Sequence, residues 1–102
     1  MLMPHVIRFN AEECAECYRP VAQAMGVDVS GMSDAQAAGA AADSIAALAA
    51  KLGLASKLSQ VGVPEDGLGE LAEMAMCDGS IVYNARAVME SDEVLAVYRA
   101  AF

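Results

Sequence analysis

The feature that most constrains the fold of this 102-residue chain is an alanine-rich stretch that reads SDAQAAGAAADSIAALAAKLG from Ser33. Alanine favours the α-helix because its side chain loses no rotamer entropy there. Ser33 and Gln36 have the spacing of a capping box, and Gly53 stands where such a helix ends. Apolar residues recur through the stretch at helical spacing: Ala38, Ala41, Ile45, Leu48 and Leu52. The stretch therefore predicts one long helix with an apolar stripe.

Helix signals also fill the first quarter of the chain. We predict a short helix over Leu2–Phe9, because Pro4 is tolerated in a first helical turn. A second helix is predicted over Ala11–Met25, kinked at Pro20 and ended by Gly26.

The C-terminal part predicts two further helices. Pro64 fits the first turn of a helix whose inward face carries Leu68, Leu71, Ala72 and Ala75. Ser91 is expected to cap the last helix. Ser80–Tyr83 is the only strand candidate. The sequence therefore predicts an all-α fold, a small helical bundle in which residues 1–102 form a single helical domain.

Charge and cysteine content exclude several classes of partner. Six basic residues against 14 acidic ones give a net charge of −8, which disfavours nucleic acid and anionic membrane surfaces as partners. No targeting or membrane-spanning segment is recognisable. Three cysteines, an odd number, do not suggest a disulfide framework, and we expect a cytoplasmic protein.

The residues offer no metal or dinucleotide site of their own. A catalytic metal needs three or four protein ligands, and His5 is the one histidine of the chain. Gly67 and Gly69 follow no strand and lack the third glycine of a dinucleotide-binding turn. We therefore expect no catalytic, metal-binding or cofactor-binding residue in the chain.

The CAEC motif at 14–17 has the spacing of a redox pair. A reactive pair needs its first cysteine at a helix N-terminus, where the pKa of the thiol falls. Here Cys14 and Cys17 lie on the predicted apolar stripe of their helix, and Glu12, Glu13 and Glu16 surround them. We interpret both as small core residues and expect them to be inert towards redox reagents.

Four phrases, in this order, resemble the C-terminal part of the iron-containing (group III) alcohol dehydrogenases. They are MPHVIRFN (3–10), LSQVGVPEDGLGELAEMAM (58–76), NAR (84–86) and EVLAVYRAAF (93–102). The resemblance extends over essentially the whole chain. It implies a helical fold that matches the last quarter of a larger enzyme, whose nucleotide-binding domain and iron-site helices would precede these residues.

The resemblance also implies roles for a few residues. Ser80 falls in a stretch that lines the substrate side of the family's cleft, so it is a candidate remnant of a substrate pocket. A turn serine that bonds its own backbone is the alternative interpretation, and the more common one. Asn84 and Arg86 match a structural N-P-R turn in which Ala85 replaces the proline. In the family, the cofactors are iron or zinc and NAD(P).

Two main functions remain open from the sequence. One is a catalytically incomplete dehydrogenase-like domain that associates with itself or binds another chain. The alternative is the C-terminal part of an NAD(P)-dependent alcohol oxidoreductase, completed in trans by a chain that carries the iron and cofactor sites. A thiol-redox protein would rest on CAEC alone. We expect the isolated chain to be inactive and to form a homo-oligomer through its MLMPHVIRF segment and alanine-rich helix.

Overall fold

The computed structural model describes residues 1–102 and confirms an all-α fold without strands. Its five helices are α1 (Met3–Cys14), α2 (Arg19–Ala24), α3 (Asp34–Lys51), α4 (Leu68–Met76) and α5 (Ser91–Ala100). Four short 3-10 turns occupy Ala15–Tyr18, Leu58–Val61, Glu65–Gly67 and Gly79–Tyr83.

The N-terminal helices differ from the prediction in where they break. Helix α1 continues through the expected boundary, and the chain leaves helical geometry at Cys14, with φ −138° and ψ 48°. Pro20 is the second residue of α2, where its missing N–H needs no partner, so it begins a helix rather than kinking one. The predicted end of this helical region is confirmed, since Gly26 takes φ +84°.

Helix α3 confirms the predicted capping box. The backbone N–H of Ser33 donates to Gln36 Oε1 at 2.8 Å, and the N–H of Gln36 donates to Ser33 Oγ at 3.2 Å. The inward stripe is confirmed only in the first half, where Ala38 and Ala41 are buried. Leu48 and Leu52 are 46% and 66% exposed, so the second half of the stripe lies open.

The C-terminal elements also correct three expectations. Pro64 precedes a 3-10 turn, and α4 begins only at Leu68. The strand candidate at Ser80–Tyr83 is part of a 3-10 turn. Glu90, not Ser91, occupies the N-cap position of α5. Ser91 is the first helical residue, and its hydroxyl donates to Glu73 at 2.6 Å.

The remaining expectation for α4 is half right. Leu68 and Ala72 are buried as predicted and Ala75 is half-buried, whereas Leu71 lies at the surface.

The core consists of two small clusters. One joins α2 and α3 through Ala22, Val29, Ala37 and Ala41, and the other joins α4, α5 and the preceding loop through Leu58, Leu68 and Ala101. Helix α1 packs on α3 and also contacts α5, so it connects the two. The molecule measures 42 × 31 × 18 Å. This flat shape leaves a thin interior that is filled mostly by alanine.

None of the helices has both the length and the apolar character needed to cross a membrane.

The alanine interior predicts a strong sensitivity to added volume. Ala41 of α3 is fully buried in the core cluster that contains Ala22 and Val29. Ala41→Leu should therefore lower the free energy of unfolding by about 1–3 kcal/mol through overpacking. Ala47→Leu, at an exposed position of the same helix, is the matched control. Urea unfolding monitored by circular dichroism measures both, and equal values for the two variants would contradict close packing at Ala41.

Candidate functional site

A cavity of about 480 Å³ lies between α1, α4, α5 and the Gly79–Tyr83 turn. Its wall is mainly apolar and includes Leu2, Val6, Phe9, Val94, Val97 and Tyr98. The polar side chains of Asp78, Ser80, Asn84 and Glu93 also reach the wall. An apolar cavity with a few polar groups is the usual form of a small-molecule site.

Ser80, the candidate pocket residue of the sequence, is placed in the wall of this cavity. Its backbone N–H donates to Asp78 Oδ1 at 2.9 Å, so it also has the local bond of a turn serine. Hydrogen bonds from the Ser80 N–H, and secondarily from its hydroxyl, lower the pKa of Asp78. The Asp78 carboxyl is therefore ionised at neutral pH and does not serve as a proton donor. Contact between Ser80 and a substrate stays a prediction.

A pair of asparagine side chains fixes the irregular segment next to the cavity. Asn10 is 4% exposed, and its amide Nδ2 donates to Asn84 Oδ1 at 3.1 Å and to the Tyr18 hydroxyl at 3.0 Å. In return, Asn84 Nδ2 donates to Asn10 Oδ1 at 2.7 Å and to the Arg86 carbonyl at 2.8 Å. The sequence indicated a structural role for Asn84 but did not identify its partner, Asn10. The available signal for Asn10 was its place as a polar residue at the end of the apolar phrase MPHVIRFN.

Arg86 joins the same segment to α1 and α5. Its guanidinium lies 3.9 Å from the centre of the Phe9 ring, and its Nη1 donates to the Phe9 carbonyl at 3.1 Å. Carboxylates surround it, with Glu12 at 2.6 Å, Glu93 at 3.5 Å and Glu13 at 3.7 Å. A largely buried arginine that stacks and bonds in this way is a positioning group. The structural role expected for Asn84 and Arg86 is confirmed.

The asparagine pair and Arg86, which we call the α1 junction, therefore hold one wall of the cavity. The Gly79–Tyr83 turn runs directly into Asn84, and its outer side chains Val82 and Tyr83 are 75% and 87% exposed. The side-chain bonds of the junction, rather than helix packing, connect this turn to α1. The junction thus gives a short irregular segment a fixed position.

The two CAEC cysteines occupy different environments. Cys14 is half-buried, and its thiol donates to the Asn10 carbonyl at 3.2 Å. Burial first, then the neighbouring Cys17, Glu16 and Glu13, raise the pKa of Cys14, as the acidic surroundings predicted. Cys17 is exposed, so the expectation that both are core residues is wrong for Cys17. That expectation fails because the helix breaks at Cys14, so the predicted apolar stripe does not continue to Cys17.

The chain's own residues do not fit the iron or zinc that the family resemblance implies. No three His, Cys, Asp or Glu side chains converge in a way that could hold a metal ion. Burial, and secondarily the charges of Arg8 and the N-terminal amino group, lower the pKa of His5, which lies alone. No reaction step through a metal can therefore be derived from these 102 residues.

The hydrogen bonds of Glu93 at the start of α5 predict a specific pH dependence of stability. The N–H groups of Met89 and then Glu90, with a smaller effect of Arg86, lower the pKa of Glu93 below its ordinary value of 4.5. Because the folded state binds this proton less tightly than the unfolded chain, Glu93 stabilises the fold above that pH, and its contribution is lost as the pH falls through the folded-state pKa.

Urea unfolding between about pH 3 and 6 tests this expectation. Wild-type stability should fall more steeply with acid than that of Glu93→Gln. Glu70→Gln, which removes an exposed carboxylate of α4 with no hydrogen bond of its own, should follow the wild-type slope. Parallel slopes for wild type and Glu93→Gln would refute the assignment.

Comparison with known proteins places the whole chain in one family. Residues 1–102 match the model of the Fe-containing alcohol dehydrogenase family, C-terminal. The chain is 36% identical over 102 residues to lactaldehyde reductase from Escherichia coli (strain K12) and to 1,3-propanediol dehydrogenase from Citrobacter freundii. All of the chain is covered in both, but only 26% of each relative, so it spans about a quarter of their length.

Solved structures agree with this assignment. A 1,3-propanediol oxidoreductase superposes with a TM-score of 0.92 at 35% identity over 99% of the chain and 26% of that protein. Alcohol dehydrogenase from Oenococcus oeni gives a TM-score of 0.94 with the same coverage, and at 22% identity it supports the fold alone. The chain thus belongs to the iron-containing alcohol dehydrogenase family, of which it has the C-terminal helical fold.

Proposed function

We propose that this chain forms the C-terminal helical part of an oxidoreductase that interconverts a short-chain alcohol and its aldehyde. The observation that carries the proposal is the 480 Å³ cavity, which stands in a fold with 35% identity to a 1,3-propanediol oxidoreductase. The relatives named lactaldehyde reductase and 1,3-propanediol dehydrogenase point to a small, three-carbon substrate.

In this proposal, the 102 residues supply walls rather than reacting groups. The apolar side chains of α1 and α5 exclude water, and the α1 junction fixes the turn that carries Ser80. The iron or zinc and the NAD(P) would be held by polypeptide outside these residues, in the same chain or in a second one. By itself the chain would be inactive.

A chimera tests the proposal. Its design replaces the last quarter of Citrobacter freundii 1,3-propanediol dehydrogenase with residues 1–102 of this chain, which match that quarter over their full length. We expect NAD-dependent oxidation of 1,3-propanediol by the chimera. A second chimera with Val97→Arg, which places a charge in the cavity wall, should lose most of that activity because the apolar pocket is blocked.

The isolated chain, assayed alongside, should show no activity. A chimera that folds, as judged by cooperative thermal unfolding, and binds iron, but oxidises no alcohol, would overturn the proposal. Equal activity with and without Val97→Arg would show that the cavity does not bind the substrate.

A second function, a self-associating module, is favoured by the open half of α3. Four exposed apolar side chains belong to this part of the chain: Leu48 and Leu52 in α3, and Leu54 and Val61 in the segment that follows. A second copy could cover this surface symmetrically. The MLMPHVIRF segment is a poorer candidate than expected, because Ile7 is buried and only Met3 and Arg8 are well exposed.

Light scattering of the isolated chain at tens of micromolar tests self-association. We expect a mass at least twice the monomer's 10.5 kDa. Leu52→Glu should shift the mass towards the monomer, since it places a charge in the open surface. Ala35→Glu adds the same charge at an exposed site of the first turn of α3 and should not. A monomeric mass independent of concentration would exclude this function.

We also propose a cytoplasmic location. Three free thiols in a chain of this size suit a reducing compartment, and the helical fold needs no cross-link to close it.

A further inference from the structure

The CAEC motif is the one chemical feature that the proposed oxidoreductase role leaves unused. Cys14 ends α1, and Cys17 lies in the 3-10 turn Ala15–Tyr18 that follows. In such a turn, side chains three residues apart stand one above the other. Cys14 directly precedes this turn, so only Ala15 and Glu16 separate the two cysteines along it.

The backbone at this turn suits a covalent bond between the two sulfurs. Residues i and i+3 of a tight turn have Cα atoms less than about 7 Å apart. A disulfide needs a Cα separation of about 4.4–6.8 Å. Closing the bond would therefore require little backbone movement between Cys14 and Cys17.

The different exposure of the two thiols sets an order of reaction. Cys17 is open to solvent, whereas Cys14 is half-buried and donates to the Asn10 carbonyl. A small reagent therefore meets Cys17 first, and Cys14 is in place to resolve the product.

We propose that Cys14 and Cys17 form a reversible intrachain disulfide, with a low-molecular-weight disulfide such as oxidised glutathione as the oxidant. The Cys17 thiolate attacks one glutathione sulfur and expels the first glutathione thiolate, which takes up a proton. Cys14 then loses its proton to water, and its sulfur attacks Cys17 and expels the second thiolate. Two protein thiols are oxidised, and one glutathione disulfide is reduced to two thiols.

Because Cys17 is exposed, this proposal replaces the redox inertness expected from the sequence with a slow exchange that is also slow to reverse. Burial, and to a smaller extent Cys17, Glu16 and Glu13, raises the pKa of the Cys14 thiol, and neither cysteine lies at the N-terminus of an α-helix. A thiol with a raised pKa is seldom deprotonated and is a poor leaving group. Oxidation should therefore speed up as the pH rises above neutral. It also removes the S–H group that donates to Asn10, a member of the α1 junction.

The test uses the full chain with Cys77→Ser, because Cys77 is a third exposed thiol that could cross-link two copies. The chain is incubated with oxidised glutathione and digested with trypsin without reductant. Cys14 and Cys17 then share the peptide 9–51, since Arg19 precedes Pro20 and resists cleavage. We expect this peptide to lose the mass of two hydrogen atoms and to carry no glutathione.

The matched variant, Cys14→Ser with Cys77→Ser, should retain one glutathione on Cys17 under the same conditions. Circular dichroism before oxidation establishes that both variants are as helical as the wild type. If the Cys77→Ser chain stops at the mixed disulfide, or stays fully reduced, the two sulfurs do not meet in the folded chain and the proposal is overturned.

Discussion

The fold depends on the bonds by which α1 holds a segment that has little regular structure. Asn10 and Asn84 exchange side-chain hydrogen bonds across 74 positions of sequence. Beside them, Arg86 stacks on Phe9 and bonds its carbonyl. Because the Asn10 side chain is buried, its amide would pay a desolvation cost without these partners. The pair therefore selects one position for the segment over other compact ones.

The cavity is a consequence of this attachment. Its walls come from α1, α4 and α5, but the fourth side is the Gly79–Tyr83 turn, which packs little on its own. The turn ends at Asn84, and the bonds of Asn84 to Asn10 attach it to α1. A polar anchor beside an apolar wall is an arrangement in which side chains of the wall could be replaced without a change of fold.

What the sequence could predict follows from how local each feature is. The start of α3 was predictable, since Ser33 and Gln36 bond each other within a single turn. The break at Cys14 was not, because Pro20 is the stronger local signal and the break lies next to the long-range bonds of Asn10. The placement of Ser80 in a cavity wall came from the family resemblance alone, since no spacing in the sequence indicates a cavity there.

The open half of α3 was the least predictable feature, and it has a physical meaning of its own. Periodicity shows which residues share a face, but not whether anything covers that face. Leu48 and Leu52 continue the buried stripe of Ala38 and Ala41 along α3, yet no other part of the flat molecule covers them.

Burial of alanine contributes little free energy per residue, and the interior is made mostly of alanine. Burial of the uncovered leucines would therefore add a large share to the total burial free energy of this chain. Any polypeptide that covers them would add to its stability as well as bind it. For this chain, the burial of Leu48 and Leu52 by such a polypeptide would therefore contribute directly to the stability of the fold.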